Sequence, residues 1–145
     1  MAYTTDLKTA IAAAIAANPD AEYNLTWKAT GSYTTAESGI YIDVRSQNDG
    51  TQLVISDYPV VDDPTLSTST VGIQFAITGS VKDTDKIKDD IFNMFQNFPS
   101  GTLGNVRIVN AFRQSGANLG QDGSGRVSRT ENYYFQVHRP SSHRQ

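Results

Sequence analysis

The sequence predicts an α+β domain, with two α-helices packed on a mostly antiparallel β-sheet and with protruding loops. Two segments show the apolar spacing of helices, and several others show the two-residue alternation of strands. Their order along the chain is helix, three or four strands, helix, two strands, with no internal repeat. The 145 residues fit one domain, and we expect a flexible C-terminal tail from about residue 139.

The first helix has a narrow, alanine-rich apolar stripe. Thr4 or Thr5 is the expected N-cap, and Asn18-Pro19 is the expected stop. The second helix has a stronger stripe, and Asp83 or Thr84 is its expected cap. The residues of the two stripes are Leu7, Ala10, Ile11, Ala14 and Ile15 in the first and Ile87, Ile91, Met94, Phe95 and Phe98 in the second.

Strands are predicted wherever apolar residues alternate with polar ones. The segments are 23–27, 40–45, 52–58, 71–78 and a strand that begins at Val106. The prolines and small hydroxylated residues of 59–70 predict a loop there. In the last strand, Val127 and every second residue to Val137 form one face, whose later half is apolar and should face the core. The opposite face is polar and nearly uncharged, which suits water or a hydrogen-bonding partner.

Composition excludes several classes of chemistry. The chain has no cysteine, so disulfides, thiol catalysis and thiolate metal sites are absent. The N-terminus lacks the features of a secretory signal, and no segment is apolar enough to span a bilayer. We therefore expect a chain made and folded in the cytoplasm, with no membrane partner.

Charge is distributed unevenly along the chain. Residues 1–103 hold 13 acidic and 6 basic side chains, whereas residues 104–145 hold 6 arginines, no lysine and 2 acids. An acidic body with an arginine-rich end can dock on an acidic protein face or bind nucleic acid. The alternative is a set of charges scattered over a solvated surface.

The glycine-rich segment 116–125 lacks the features of a ligand site. It has no Lys-Ser/Thr ending and no following helix, so it is not a phosphate-binding loop. Asp122 is its only acid, which is too few for calcium. Asp122-Gly123 followed by a strand predicts a hairpin turn. The segment also remains a candidate arm that orders on assembly.

No catalytic group or cofactor site is predicted. His138 and His143 lie near the C-terminus without a nucleophile, and Asp62-Asp63 and Asp89-Asp90 are adjacent pairs whose side chains should point apart into solvent. We therefore predict a non-enzymatic protein with no metal and no cofactor. Nucleic-acid binding is a weaker alternative, because Tyr134 is the only stacking candidate in the last strand and the pI is about 5.2.

One resemblance covers nearly the whole chain. The run "GQDGSGRVSRTENYYFQVHRP", following "QLVISDYP", "VGIQFAITG" and "IKDDIFNMF", resembles the tail terminator proteins of long-tailed double-stranded DNA phages, which are also called minor tail or minor capsid proteins. The resemblance implies a six-membered ring at the head-proximal end of the tail tube. Such a ring stops tube growth, meets the connector of the head and passes DNA through its lumen without reading it.

The resemblance and the charge pattern together imply a set of interface residues. A ring closes through unlike patches on neighbouring subunits, and the acidic body and basic end supply two such patches. The candidates are Arg126, Arg129, Asn132, Arg139, Asp122, Gly123, Gly125, Asp62 and Asp63. Arg129 and Glu131 share a face and are alternatively an ion pair within the sheet. The partners implied are further copies of the chain, the tail tube protein and a head-completion or connector protein, all in the virion. The alternative is another neck or tail-tube subunit.

Overall fold

One mixed sheet and two helices form the fold in this computed structural model, which describes residues 2–47, 50–122 and 124–144. The elements are α1 (Tyr3–Ala16), β1 (Ile40–Ile42), β2 (Gln52–Asp62), β3 (Thr68–Gly79), α2 (Val81–Phe95), β4 (Gly101–Leu103), β5 (Val106–Gln121) and β6 (Val127–His138). The strand order in the sheet is β1-β2-β3-β6-β5-β4. β1 pairs with β2 in parallel and the other neighbours pair antiparallel, which confirms the predicted α+β class.

The core lies between the two helices and one face of the sheet. Aromatic rings from three elements meet there: Phe75 of β3 contacts Tyr133 edge-on at 5.6 Å between ring centroids. Phe95 of α2 contacts Phe135 in the same way at 5.4 Å. Such pairs stabilise a fold by about 0.5–1.5 kcal/mol each beyond the area they bury. The apolar face predicted for β6 is confirmed, because Tyr133, Phe135 and Val137 are all fully buried.

Both helices form where predicted, but both begin earlier than predicted. The residue preceding α1 is Ala2, which makes no capping hydrogen bond, so Thr4 and Thr5 lie inside the helix. Ser80 caps α2, and its hydroxyl accepts a hydrogen bond from the Asp83 N–H at 3.1 Å. The caps proposed at Asp83 and Thr84 are therefore wrong, because a serine placed three residues earlier satisfies the same free N–H groups.

The segment between α1 and β2 contains less strand than predicted. Residues 23–27 form no strand and make one isolated bridge, from Thr26 to Gly39. β1 ends at Ile42, because Asp43 has a φ of 65° that breaks the extended backbone. The ammonium of the buried Lys8 lies 2.6 Å from the Asp43 carboxylate and 2.8 Å from that of Asp57. Burial disfavours the charge of Lys8, but these two hydrogen bonds outweigh it and raise the pKa of Lys8 above its usual value.

The predicted loop 59–70 is instead most of a long hairpin. β2 continues to Asp62 and β3 begins at Thr68, which leaves a turn of five residues. A bulge between Pro59 and Val61 accommodates the proline within β2. The prediction from proline and hydroxyl content failed because cross-strand pairing overrides weak local preferences.

β5 is also longer than predicted, since it runs through most of the glycine-rich segment. Residues 116–121 pair with β6 as far as the contact between Gln121 and Val127. Three bulges interrupt this ladder, and each lets β5 accommodate one extra residue. The predicted turn at Asp122 is confirmed, but Gly123 lies outside the described residues.

The last described residues lie against the β2–β3 turn. Arg139 donates its backbone N–H to the Ser67 carbonyl at 2.8 Å. The Arg144 guanidinium donates to the Leu66 carbonyl at 2.8 Å and to the Ser69 hydroxyl at 3.1 Å. These contacts give the C-terminal segment a defined position, and the expectation that it is flexible from about residue 139 stays a prediction, as does the single-domain assignment.

Candidate assembly interface

The turn between β5 and β6 is built around one carboxylate. Asp122 Oδ1 accepts hydrogen bonds from the Ser124 hydroxyl and N–H, both at 2.9 Å, and from the Arg126 N–H at 3.0 Å. The hydroxyl and N–H of Ser124 lower the pKa of Asp122, and the Arg126 N–H lowers it further. Gly125 has a φ of 82°, which favours glycine at that position. The tip of the hairpin is therefore a closed, hydrogen-bonded loop.

The two arginines that follow the turn contact other parts of the same chain. Arg126 Nη2 donates to the Gly50 carbonyl at 3.0 Å. Arg129 Nη2 lies 3.0 Å from Asp85 Oδ1, and Arg129 Nε donates to the Thr84 hydroxyl at 3.2 Å. Both guanidiniums thus tie the distal end of the hairpin to the body of the protein. Their roles at a subunit interface stay a prediction.

The alternative ion pair between Arg129 and Glu131 does not form. Glu131 instead lies 3.3 Å from Arg113 Nη1, and its side chain is 6% exposed. The Arg113 guanidinium also lies over the Phe92 ring, 4.8 Å from the ring centroid. Arg113 thus links β5 to both β6 and α2, a role that sequence alone did not indicate because it depends on the bulged register of β5.

Asn132 lies in the middle of the sheet, on the face away from the helices. Its amide donates to the Ser115 hydroxyl at 3.2 Å and accepts from the Gln74 amide at 3.3 Å. These bonds form a polar row across β3, β6 and β5. Asn132 is therefore far from either end of the sheet and is separated from the other candidates.

The remaining candidates lie at the opposite end of the sheet. Asp63 accepts hydrogen bonds from the Leu66 N–H at 2.7 Å and the Thr65 N–H at 2.9 Å, and these donors lower its pKa. Asp62 is exposed at the end of β2. The Arg139 guanidinium lies 4.7 Å from the centroid of the Tyr3 ring, a cation–π contact.

Apart from Asn132, the described candidates therefore divide into two groups. Asp62 pairs opposite Ser69 of β3, whereas Val127, next to Arg126, pairs opposite Gly79. The ten residue steps along β3 from Ser69 to Gly79 span about 33 Å. A surface that contacts both groups must belong to two neighbouring molecules or to one large partner.

The sheet face away from the helices carries no charged side chain over its central part, among the residues that the structure describes. Tyr58 covers Gly72, where an added Cβ would overlap the Tyr58 ring. Next in the same row, Tyr134 contacts Phe112 edge-on at 5.8 Å. The other members of this face are hydroxyls, amides and small residues: Val54, Ser56, Thr70, Gln74, Ala76, Thr78, Asn110, Ser115, Ala117, Gly120, Ser128, Thr130, Asn132 and Gln136. The nearly uncharged face predicted for β6 is thus one part of a surface four strands wide.

Two grooves flank the sheet on its helical side and differ in charge. One, of about 410 Å³, lies between α2 and β5 and is lined by the cations Lys88, Arg113 and Arg129 and the acid Glu131. The other, of about 230 Å³, lies between α1 and β2 and is lined by Asp57, Asp62 and Arg139. With their ion-pair partners included, the groove beside β5 has one more base than acid, because Asp85 pairs with Arg129. The groove beside β2 has one more acid than base, because Lys8 pairs with Asp43 and Asp57.

Side-chain groups that could hold a metal ion, and helices that could span a membrane, are not found in the described part of the chain. No group of three or more His, Asp or Glu side chains is placed to hold a metal ion there. None of the described helices is long and apolar enough to cross a membrane. Asp90, predicted to be solvated like Asp89, is buried and accepts hydrogen bonds from the backbone N–H groups of Glu22 and Tyr23 at 3.0 Å. It therefore has a structural role, and that prediction is wrong.

Comparison with known proteins finds a similar fold among solved structures. No protein family and no curated protein matches the chain. Among solved structures, a chain of one titled "Virion of native gene transfer agent (GTA) particle" matches with a TM-score of 0.56 and 9% sequence identity. The match covers 71% of this chain and 81% of that chain. At this identity it shows a shared fold.

Proposed function

We propose that the protein is a structural component of a phage-like particle and that it forms a ring, of six subunits, at the head-proximal end of the tail tube. The ring ends tube polymerisation and provides the joint to the head connector, and its lumen passes DNA without reading the sequence. The observation that carries this proposal is the fold shared with a chain of a gene transfer agent virion.

The distribution of charge supports a ring. Cyclic assemblies use heterologous contacts, in which one surface of a subunit meets a different surface of the next. The basic groove beside β5 and the acidic groove beside β2 lie at the two lateral edges of one sheet. Unlike charges on two edges favour head-to-tail neighbours and penalise contacts between like edges.

The contacts that the arginines make within the chain argue against a protein that binds nucleic acid on its own. Arg129 pairs with Asp85, Arg139 stacks on Tyr3 and Arg144 is hydrogen-bonded to the β2–β3 turn. Tyr134, the stacking candidate, packs against Phe112 on the central part of the sheet face away from the helices, where no described residue carries a charge. A strand of nucleic acid needs a continuous basic track beside exposed aromatic rings, which these contacts do not provide.

Localisation in the particle tests the proposal. An epitope tag on the N-terminus, visualised by immunogold electron microscopy, is expected at the head–tail joint. Particles produced without the protein are expected to have tails of irregular, excessive length and heads that lack tails, because tube growth is not stopped. Label on the capsid shell or the distal tail, or normal particles without the protein, would contradict the proposal.

A further inference from the structure

The free edge of β5 is the least protected part of the sheet. β4 covers only Val106 to Ile108. Beyond it, the Phe98 N–H donates to the Ala111 carbonyl at 3.3 Å, and the Arg113 N–H donates to the Gln96 side chain at 2.7 Å. From Gln114 to Gln121, no other described segment bonds to the outer edge of the strand.

Backbone groups point outward along this edge at known positions. The Ala111 carbonyl and the Arg113 N–H point away from β6, and both residues face the helices. In an antiparallel ladder alternate residues bond to the same neighbour. Beyond the bulge, Gly116 and Asn118 are the residues that face the helices, so their N–H and carbonyl groups point outward. Between the two distal bulges, the run from Ser115 to Asn118 presents a regular edge.

The composition of this edge does not prevent pairing with another strand. Proteins protect open edges with charged residues, proline or bulges, because an open edge is a template for another strand. The segment 114–121 contains no charged residue and no proline, and its bulges leave the central four residues regular. Its exposed Leu119, with 65% of its surface accessible, adds apolar area next to that run.

The second open edge of the sheet is on β2. β1 covers only Leu53 to Ile55, and the Asp43 N–H then donates to the Ile55 carbonyl at 2.9 Å. Beyond that point, residues 56–62 have no further strand partner on this side among the described residues. This edge is shorter, and Pro59 removes one donor from it.

The charges beside the two edges are complementary. Lys88, Arg113 and Arg129 line the groove beside β5, where Glu131 pairs with Arg113 and Asp85 pairs with Arg129. Lys88 is the cation of this groove that has no ion-pair partner among the described residues. Asp57, Asp62 and Arg139 line the groove beside β2, where Asp57 pairs with Lys8. Asp62 is the acid of this groove that has no ion-pair partner among the described residues. Placing the two edges together brings the basic groove of one molecule next to the acidic groove of another.

We infer that the β5 edge, residues 114–121, pairs with the β2 edge, residues 56–62, of a second copy of this chain, so that the sheet continues from one subunit to the next. The two edges differ, so the contact is heterologous and can close a ring. The inference rests on the proposed function, because it names the seam of the proposed ring. Strand addition supplies affinity through main-chain hydrogen bonds, and the flanking charges select the correct edge.

A proline substitution on the free edge tests the seam. Asn118→Pro removes an outward N–H and leaves the bonds of Ser115 and Ala117 to β6. Asn118→Ala is the matched control, because it keeps the N–H and loses the same side-chain bond to the Gly120 N–H. Sedimentation velocity over a concentration series is expected to show association at least about tenfold weaker for Asn118→Pro and nearly unchanged for Asn118→Ala. Circular dichroism and thermal melting identify a variant that fails to fold, and in that case the cysteine experiment below decides.

Cysteine cross-linking identifies the two edges directly, since the natural chain has no cysteine. Ala117→Cys and Ser56→Cys each place one thiol on the uncharged face, next to one edge. A short bismaleimide is expected to join the two variants when they are mixed and to leave each variant alone as monomers. Cross-linking of Ala117→Cys with itself would show pairing of like edges and would overturn the inference.

The outcomes separate this inference from the proposed function. A ring that forms equally well with Asn118→Pro, or a ring in which Ala117→Cys and Ser56→Cys do not cross-link, overturns the seam and leaves the function standing. A chain absent from the particle overturns the function, and edge-specific cross-linking then still reports whether the two edges pair.

Discussion

Single aspartate carboxylates stabilise the segments that connect the helices and strands. Asp63 and Asp122 each accept hydrogen bonds from backbone N–H groups of their own turns, one at each end of the sheet. Asp90 does the same across the structure, since it joins α2 to the segment that follows α1. Sequence indicated the turn at Asp122 because Asp-Gly is a local signal, whereas the role of Asp90 depends on a contact 68 residues away.

Replacing Asp90 with alanine should destabilise the protein by about 2 kcal/mol, because two partly buried N–H groups lose their acceptor. Asp89→Ala is the matched control, and its effect should stay within about 0.5 kcal/mol because Asp89 is exposed. Urea denaturation followed by tryptophan fluorescence measures both values. Equal effects of the two variants would contradict the structural role assigned to Asp90.

The lowered pKa of Asp122 predicts a pH dependence of stability. Its folded pKa lies below its unfolded pKa of about 3.9, so its contribution to stability is present above pH 3.9 and is lost as the pH falls through the folded value. Asp122→Asn should lower the melting temperature at pH 7 and should reduce the loss of stability between pH 5 and pH 2. If the melting temperatures of the two proteins fall by the same amount between pH 5 and pH 2, the carboxylate does not stabilise the turn.

At the scale of elements, the pairing between strands determines which segments of the hairpins are strand and which are turn. The predicted loop 59–70 and the glycine-rich segment 116–125 are both largely strand, because pairing partners distant in sequence override their proline, glycine and hydroxyl content. The helices were easier to predict, since their 3.6-residue apolar periodicity is local. Gly72 shows the same limit: its need for a small residue comes from Tyr58 on the neighbouring strand.

Gly72→Ala should destabilise the protein by about 1–3 kcal/mol, because the added methyl group overlaps the Tyr58 ring. Removal of that ring should relieve the overlap, so Gly72→Ala should cost much less in a Tyr58→Ala background. A double-mutant cycle by urea denaturation measures this coupling. Additive effects would mean that the two side chains do not meet across β2 and β3.

At the scale of the whole molecule, the two sheet edges carry different charge. The sequence predicted an acidic body and a basic end, and the fold mixes them: Lys88 of the body lies beside β5 with Arg113 and Arg129, whereas Arg139 of the basic end lies beside β2. Sequence could not assign them to grooves, because Lys88, Asp57 and Asp62 come from distant segments that only the sheet brings to its edges. The predicted interface residues at the hairpin tip and at the β2–β3 turn lie at opposite ends and stay a prediction.

Charge reversal tests the complementarity of the two grooves. Asp62 and Lys88 form no ion pair with any other described residue, so their substitution should not affect folding. Asp62→Lys or Lys88→Asp alone should weaken self-association several-fold, and the weakening should diminish at high salt. The double variant restores opposite charges across the seam and should recover association, as measured by sedimentation velocity. A double variant weaker than either single variant would contradict the proposed juxtaposition.

The central claim is that copies of this chain close a ring through unlike edges. Native mass spectrometry of the protein mixed with purified tail tubes, at low and physiological ionic strength, measures the assembled species directly. The account predicts a closed species of six copies of the 15.8-kDa chain, released from or bound to tube ends, with no dimer of special stability. A symmetric dimer as the only assembly, or a monomer that persists in the presence of tubes, would contradict it.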